Sequence, residues 1–484
     1  MKLTTLIGDG ATLPAAWADI EIAGLTPDSR EVRPGFLFAA LPGTKLDGAA
    51  FVPAALAKGA IAILASNTAK LAVPDTVALI QDADPRRALA LMAARYFEVQ
   101  PATVVAVTGT NGKTSVVSFV RQIWAELGLQ AASLGTVGLV IPAAENTSSH
   151  TTPEPVALHR LLARIAAEGV THLAIEASSH GLQQRRLDGV RLAAAGFTNI
   201  TRDHLDYHKD FEDYFAQKRR LFEVLLPKGA VAVLNADSDG SSRIGGFVRR
   251  MDARGLLTVG RKGETLRLTG VARDGLAQIL DVMCQGKSYR IRLPLAGDFQ
   301  ASNALVAAAL VIATGAAPER VLPTLERLRG AKGRLELVGA TKAGAPAFVD
   351  YAHTPDALAT VLDALRPHAE RRLVVVFGCG GDRDQGKRPL MGAIAAAKAD
   401  AVYVTDDNPR SELPATIRRA ILAAAPGAIE IGDRQQAIET AVASLGPGDV
   451  LLVAGKGHES GQIVGGSVIP FSDHEALLHA LRPA

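Results

Sequence analysis

The stretch best suited to chemistry is Gly109-Thr110-Asn111-Gly112-Lys113-Thr114-Ser115, which follows the apolar run at 103–107. A strand, a glycine-rich turn and the start of a helix are expected here, so that backbone amides, a lysine and a hydroxyl can hold phosphates and Mg²⁺. The common phosphate loop has its first glycine five positions before the Gly-Lys pair, where this chain has Val107. A plain strand-to-helix turn is the alternative, but the pattern predicts a short nucleotide-binding loop.

Carboxylate and imidazole side chains follow two further apolar runs. Glu176 ends the run at 171–177, and Asp203, His204, Asp206 and His208 fall within six residues of one later loop. Ligands bind at the carboxyl ends of strands in α/β sheets, and Mg²⁺ takes few protein ligands besides phosphate oxygens. A single histidine is usually structural, but this grouping predicts a metal or phosphoryl site.

Three polar loops follow apolar runs near the end of the chain, at 377–389, 405–412 and 454–460. In a parallel sheet these loops meet at one edge. They bring together two acids, an amide and several arginines: Arg383, Arg388, Asp407, Asn408, Arg410 and Glu459. A solvated turn would explain 405–412 alone. Together the loops suit a ligand with two carboxylates for the arginines and two ammonium groups for Asp, Asn and Glu.

The segment AGKGHES, 454–460, resembles a second phosphate loop at first sight. It has no Ser or Thr after its lysine to hold a metal. We therefore interpret it as part of an amino-acid pocket.

Short apolar runs alternate with amphipathic segments along most of the chain, which predicts an α/β fold with parallel sheets. FEVQPA at 97–102 and RGAKGRLE at 329–336 are typical of linkers. We predict three domains: a small α/β N-terminal domain at 1–97, a central domain at 98–332 and a C-terminal Rossmann-like domain at 333–484. The central one is expected to have a phosphate-loop-type parallel sheet with helices on both faces.

The composition of the chain limits the classes of function that it could have. The chain has 484 residues, 48% hydrophobic and 21% charged, with a net charge of +3, so a nucleic-acid surface is not favoured. The sequence has no signal core and no apolar stretch long enough to span a membrane. Its two cysteines, Cys284 and Cys379, are far apart, as in a reduced cytoplasmic protein. We expect a cytoplasmic monomer without membrane insertion.

Four motifs in this order resemble the central domain of the Mur ligases, the ATP-dependent enzymes that build the peptidoglycan peptide. They are TGTNGKTS, EASSHGL, TNITRDHLDYH and the Lys218 of YFAQKRRLF. From the residues alone, Lys218 falls in a basic run and would lie on the solvated side of a helix. The resemblance instead implies that Lys218 is carbamylated and binds a metal, and that ATP and two Mg²⁺ ions serve an acyl phosphate mechanism.

The resemblance also implies a site, residue by residue. Catalytic roles fall to Lys113, Lys218 and His204, and metal ligation to Thr114, Glu176, His204 and Lys218. Nucleotide contacts are implied for Gly109, Thr110, Asn111, Gly112, Lys113, Thr114, Ser115 and Asn303. Gln300 stands where family members often have Asn.

The implied carboxylate substrate is UDP-MurNAc-L-Ala-D-Glu. Its contacts would be Ser29, Thr44, Lys45, Leu46, His150, Thr151, Thr152, Ser178, Gln184 and Arg186. His150 replaces the usual Asn of the family. Asp-Asn-Pro-Arg at 407–410 resembles the recognition motif for meso-diaminopimelate, whose implied contacts are Arg383, Asp407, Asn408, Pro409, Arg410, Gly455 and Glu459.

Two other functions remain open at this point. Folylpolyglutamate synthetase also has a short GKT loop and a carbamylated lysine, but it would need neither the loop at 405–412 nor a uridine-nucleotide domain. A non-catalytic nucleotide-binding protein on the same fold would have no reason to keep Lys113, Glu176, His204 and Lys218 together.

Overall fold

The computed structural model describes residues 1–8, 14–43, 47–141, 144–146, 151–201, 207–250 and 255–482, without the side chains of 144–146. The chain forms two compact units, Met1–Arg267 with Val306–Val321 and Leu268–Leu305 with Leu322–Ala484. Each unit is described below from its own elements.

The first unit begins with a small four-stranded parallel sheet in the order β1-β2-β3-β4. Its elements are α1 (Leu3–Ile7), β1 (Gly24–Thr26), β2 (Phe36–Ala40), α2 (Val52–Ala57), β3 (Ala62–Ser66), β4 (Ala78–Asp82) and α3 (Pro85–Phe97). The Asp84 side chain accepts from the amide of Arg87 and so caps α3, with Pro85 in the first turn. Helix α3 ends at Phe97, where the predicted linker begins.

A larger sheet follows in the same unit. Its elements are β5 (Thr103–Thr108), α4 (Lys113–Glu126), β6 (Ala131–Gly135), β7 (Gly138–Ile141), β8 (Ala144–Asn146), α5 (Pro155–Ala167), β9 (His172–Glu176), α6 (Ser179–Gln183), β10 (Leu192–Phe197), α7 (Phe211–Arg220), β11 (Val231–Asn235), α8 (Asp239–Arg250) and β12 (Gly255–Gly260). Strand β13 (Leu266–Asp274) begins in this unit and belongs to the second unit from Leu268 onward. The order β12-β11-β10-β5-β9-β6-β7-β8 is parallel from β12 to β6, and β7 and β8 are antiparallel.

Helices cover both faces of this sheet. On one face, Leu158 and Leu162 of α5 and Ile244 of α8 join a buried cluster with alternate residues of the strands. On the other, a Cβ added at Gly196 of β10 would lie 3.0 Å from Leu310, in the half of the helix Asp298–Ala313 that belongs to this unit. The parallel strands are therefore buried on both sides, which explains why they are continuous apolar runs.

The second unit contains the elements at the C-terminal side of the chain. They are β14 (Ala277–Cys284), β15 (Lys287–Leu293), the first half of α9 (Asp298–Ala313), then, after α10 (Pro318–Val321) of the first unit, β16 (Glu336–Ala340), β17 (Pro346–Asp350), α11 (Pro355–Leu365), β18 (Leu373–Phe377), α12 (Lys387–Lys398), β19 (Ala401–Val404), α13 (Pro414–Leu422), β20 (Ile429–Glu430), α14 (Arg434–Ala443), β21 (Val450–Ala454), β22 (Gly461–Val464), β23 (Ser467–Pro470) and α15 (Asp473–Ala480). Strand β14 pairs with β15 in an antiparallel hairpin.

The sheet of this unit has the order β16-β17-β21-β18-β19-β20, parallel except at β16. Alternate residues of β18 face opposite sides: Val375 packs with α11, α12 and α13, whereas Val374 packs with α14 and α15. This is the doubly wound arrangement expected for a Rossmann-like domain. The antiparallel hairpin β22–β23 forms a separate small sheet.

The α/β class, the parallel sheets and the predicted strands are confirmed. The runs at 373–377 and 401–404 coincide with β18 and β19. The bounds of the three predicted domains stay a prediction. Within the described part of the chain, every helix is too short or too polar to cross a membrane.

Candidate functional site

The predicted phosphate loop lies between β5 and α4. Gly109 has φ +152°, and a Cβ there would be 1.9 Å from the Thr198 hydroxyl, so only glycine fits. Gly112, which precedes α4, has φ +84°. Asn111 is exposed, and its backbone N–H donates to Asn199 Oδ1 at 2.9 Å. The loop therefore has the shape that opens a helix N-terminus toward an anion.

Two predicted lysines converge on one carbonyl of this loop. Lys113 Nζ donates to Gly109 O at 2.9 Å and to Thr110 O at 2.8 Å. Lys218 Nζ donates to the same Gly109 O at 2.7 Å and lies 4.5 Å from the ring centre of Tyr214. Thr114 and Ser115, the next two predicted nucleotide contacts, are buried in the first turn of α4.

The burial of Lys218 corrects the expectation drawn from the residues alone. Its side chain is 1% exposed and faces the phosphate loop rather than solvent. Its neighbour Arg219 is partly exposed and pairs with Glu223 at 2.6 Å. Only one side of the basic run on α7 is therefore solvated, and the lysine that the family resemblance singles out is on the other.

Glu176 is the last residue of β9 and is fully buried. Its carboxylate accepts from Thr136 N at 2.8 Å and from Thr136 Oγ1 at 3.2 Å. A Cβ at Gly135 would lie 2.1 Å from Glu176 Oε1, so the glycine makes room for the carboxylate. Thr136, which the sequence reasoning missed, also shares a hydrogen bond with Thr151 at 3.1 Å.

The predicted contacts Thr152, Ser178, Gln184 and Arg186 form one connected group. Thr152 Oγ1 lies 3.1 Å from Ser178 Oγ, and Ser178 caps α6. Gln184 Oε1 accepts from two nitrogens of Arg186, at 3.1 and 2.7 Å, and Thr152 O accepts from a third at 2.6 Å. Glu154 pairs with Arg186 at 2.6 Å. Burial lowers the pKa of this arginine, and Glu154 opposes that shift. The guanidinium is thus held in place and charge-balanced within the protein.

The three C-terminal loops meet at the carboxyl edge of their sheet, as the strand order requires. Asp407 Oδ1 accepts from Asn408 N at 2.6 Å, and a Cβ at Gly455 would lie 2.7 Å from Asp407 Oδ2. Asn408 Nδ2 donates to Glu459 Oε2 at 2.8 Å. Arg410 Nη1 donates to Gly381 O at 2.8 Å. The edge therefore carries acids and an arginine within one small region.

Other predicted residues of this edge take different positions. Pro409 O accepts from Glu412 N at 3.1 Å. Arg388 is buried and pairs with Glu412 at 2.8 Å, so its charge is already balanced within the protein. Arg383 is exposed on the loop after β18.

Asn303 lies on α9, where its Nδ2 donates to Gln300 Oε1 at 3.1 Å. Ser29 is partly buried, and its carbonyl accepts from Lys58 Nζ at 3.1 Å. Seven predicted site residues lie outside the described part of the chain: Thr44, Lys45, Leu46, His150, Asp203, His204 and Asp206.

A cluster around Tyr351 was missed by the sequence reasoning. The Arg334 guanidinium lies 4.7 Å from the Tyr351 ring centre, and the rings of His353 and His458 lie 4.5 and 5.1 Å away. Burial raises the pKa of Asp350 to about 6, although Arg334 opposes this. Burial and then the charge of Arg334 lower the pKa of His458 to about 4. The polar residues that directly follow β17 are the sequence feature that could have indicated this cluster.

Part of the predicted ligand set suits a divalent cation. Glu176 supplies a buried carboxylate and Thr114 a hydroxyl, which are oxygen ligands of the kind that Mg²⁺ takes beside phosphate. Lys218 as an ammonium is a donor and cannot bind a cation, so it fits only as a carbamate. Among the described residues, no group of three His, Cys, Asp or Glu could hold a metal on its own.

A parallel α/β sheet with a glycine-lined phosphate loop at the carboxyl end of β5 defines a nucleotide-binding enzyme class. Comparisons with known proteins give the family. The models for the Mur ligase family catalytic domain, the Mur ligase middle domain and the Mur ligase glutamate ligase domain match residues 21–97, 107–311 and 333–457. The chain belongs to the Mur ligase family and is an ATP-dependent ligase.

Individual relatives agree with this assignment. A UDP-N-acetylmuramoyl-L-alanyl-D-glutamate–2,6-diaminopimelate ligase of Bradyrhizobium diazoefficiens is 58% identical, with 99% of each chain covered. A solved structure of a ligase with the same printed name is 33% identical, with a TM-score of 0.73 and 97% of each chain covered. A folylpolyglutamate synthase of Mycobacterium tuberculosis shares the fold at 19% identity and a TM-score of 0.61, covering 76% of this chain and 92% of its own.

Proposed function

We propose that this enzyme joins meso-diaminopimelate to UDP-MurNAc-L-Ala-D-Glu with ATP, giving the UDP-linked tripeptide, ADP and phosphate. The observation that carries this proposal is the C-terminal edge, where Asn408 contacts Asp407, Glu459 and Arg410. An amino acid with a distal carboxylate and a distal ammonium matches that mixture. Lysine has no distal carboxylate and would leave Arg410 without an anion.

The reaction begins when one of the two free carboxylates of the D-Glu end of the UDP-linked substrate attacks the γ-phosphorus of ATP, which forms an acyl phosphate and releases ADP. The amine of the incoming amino acid then attacks the acyl carbon, and phosphate leaves from the tetrahedral intermediate. Catalysis of phosphoryl transfer is largely positioning and charge stabilisation. The amides after Gly109 and the Lys113 ammonium supply both at the transferring group.

The remaining residues bind and orient the two substrates. Arg186, fixed by Gln184 and Thr152, suits a carboxylate or pyrophosphate of the UDP-linked substrate. Arg410 and the exposed Arg383 suit the distal carboxylate of the amino acid. Asp407 and Glu459 suit its ammonium group, since carboxylates only accept hydrogen bonds when ionised.

Two Mg²⁺ ions complete this proposal, with Thr114 and Glu176 as ligands of one and His204 with carbamylated Lys218 as ligands of the other. When bound, they neutralise charge on the phosphate oxygens. We further propose that the protein is a cytoplasmic monomer. Size-exclusion chromatography with light scattering would measure its mass in solution and so test whether it is monomeric.

The proposal is tested by phosphate release from purified protein with ATP, Mg²⁺ and UDP-MurNAc-L-Ala-D-Glu. We expect release with meso-diaminopimelate and a roughly 10⁴-fold lower kcat/KM with L-lysine, because a site that pairs a charged group rejects analogues lacking it. Equal use of lysine would overturn the role of Arg410. If no phosphate is released in this assay but the protein adds glutamate to a folate substrate, the result would favour folylpolyglutamate synthetase.

A further inference from the structure

Lys456 carries a fully buried ammonium group at the edge where the proposed amino-acid site lies. Its Nζ donates to Gly461 O at 2.7 Å, to Glu459 Oε2 at 3.0 Å and to Asn408 Oδ1 at 3.1 Å. Three donors thus meet three acceptors. A buried charge is tolerated only when it is paired and hydrogen-bonded in this way.

These contacts fix which end of the Asn408 amide faces which neighbour. Asn408 Oδ1 accepts from Lys456 Nζ and, at 2.9 Å, from Ile463 N, which uses both oxygen lone pairs. Its Nδ2 donates to Glu459 Oε2. A flipped amide would set its NH₂ group against two donors and its oxygen against a carboxylate, so only one orientation satisfies the surroundings. Asn408 can therefore not accept from a ligand ammonium as the sequence led us to expect.

Further hydrogen bonds connect the loop at 405–412 to the hairpin β22–β23. Arg410 N donates to Ile463 O at 3.0 Å, and Gly465 N donates to Arg410 O at 2.7 Å. Gln462 Nε2 donates to Asp407 O at 2.7 Å. Arg410 has φ +52°, a conformation unfavourable for a residue with a Cβ that must be held by its surroundings. The hairpin holds Arg410 in this conformation, and Lys456 in turn anchors Gly461, the first residue of the hairpin.

We propose that Lys456 is a positioning residue for the diaminopimelate site. The Lys456 ammonium binds Glu459 Oε2 and fixes the orientation of the Asn408 amide. Of the two Glu459 oxygens, only Oε1 is then left for the ammonium group of the amino acid. The three donors of Lys456 are already used, so Lys456 does not contact the ligand. This inference rests on the proposed function and adds to it a residue that acts through Asn408 and Glu459.

The test compares Lys456→Met with the wild-type enzyme in the phosphate-release assay, with each substrate varied in turn. We expect the KM for meso-diaminopimelate to rise at least tenfold, while the KM values for ATP and for UDP-MurNAc-L-Ala-D-Glu stay within about twofold. A general loss of structure would raise all three together. Lys342→Met, a change of the same type at an exposed turn, serves as the control and should leave all three unchanged.

A KM for meso-diaminopimelate within twofold of wild type, or a parallel rise of all three KM values, would overturn the inference. Wild-type protein inactive with meso-diaminopimelate would instead overturn the proposed function. Should Lys456→Met not fold, Lys456→Met/Glu459→Gln removes both charges together. Compared with Glu459→Gln alone, it should then change the KM for meso-diaminopimelate by less than about threefold if Lys456 acts through Glu459.

Discussion

Lys218 illustrates what a single residue can and cannot reveal in a sequence. Three consecutive basic residues on a helix usually mark a solvated face, and Arg219 fits that rule. Lys218 does not, because its side chain packs beside Tyr214 of the same helix and its ammonium donates to Gly109 O. Which side of a short helix is buried depends on the strand it packs against, and charge patterning alone does not contain that information.

We predict that Lys218→Ala lowers kcat by at least about a hundredfold, the usual effect of removing a group that stabilises charge in the transition state. Steady-state phosphate release with saturating substrates measures it. Arg219→Ala, one residue away on the partly exposed side, should keep kcat near the wild-type value. Near-normal turnover of Lys218→Ala would remove this lysine from the proposed metal site.

The end-of-strand rule predicted much of the candidate site. Glu176, Asp407 and Gly455 all follow parallel strands and all lie at a carboxyl edge. The partners of these residues were not predictable in the same way. Thr136 reaches Glu176 only because β6 neighbours β9. Lys456 donates directly to Asn408, although 48 residues separate them in the sequence.

At the scale of elements, buried strands were predictable and exposed ones were not. The runs that became β5, β18, β19 and β21 are apolar because helices cover both faces of their sheets. Strand β23 is exposed and β22 is only partly buried, and both have a mixed composition that resembles a loop. Hydrophobic patterning detects burial, so a hairpin held by backbone and polar contacts escapes it.

Asp449, which precedes β21, provides a prediction about the acid stability of its domain. Burial would raise the pKa of this carboxyl, but the Arg372 side chain and the amides of Gly446 and Arg372 lower it to about 2. The depressed pKa contributes about 2 kcal/mol of stability above pH 4, which is lost as the pH falls toward 2.

We therefore expect Asp449→Asn to lower the Tm by roughly 4–8 °C at pH 7 and by much less near pH 2. Thermal unfolding followed by fluorescence at both pH values measures this. Asp363→Asn removes an exposed pair with Lys398 and should change the Tm little at either pH. A pH-independent effect of Asp449→Asn would contradict the ionic explanation.

At the scale of the whole molecule, the residues proposed for one reaction belong to different compact units. Lys113 is in the first unit, and Arg410 is in the second. Acyl phosphate formation and attack by the amine need both ligands at one place, so the hypothesis of closure on ligand binding follows from the proposed function. The Gly-rich segment at 329–333, which the sequence predicts as the link, lies within the second unit, and the chain passes between the units at 267–268, 305–306 and 321–322.

Small-angle X-ray scattering with and without ligands tests closure. We expect a smaller radius of gyration with the UDP-linked substrate, meso-diaminopimelate and a non-hydrolysable ATP analogue together than with no ligand. The analogue alone provides the comparison that separates closure from nucleotide binding. Identical profiles in all three samples would rule the hypothesis out.

The exposed Asn111, followed by Gly112 in the phosphate loop, has a further consequence for the lifetime of the enzyme. An Asn-Gly pair is the sequence most prone to spontaneous deamidation, because the unhindered glycine nitrogen can attack the side-chain amide. The product at Asn111 would be a carboxylate, a negative charge in the loop that is proposed to bind phosphates. Storage without nucleotide should therefore slowly convert the protein into a more acidic, inactive form, whereas Asn408, protected by the ring nitrogen of Pro409, should not change.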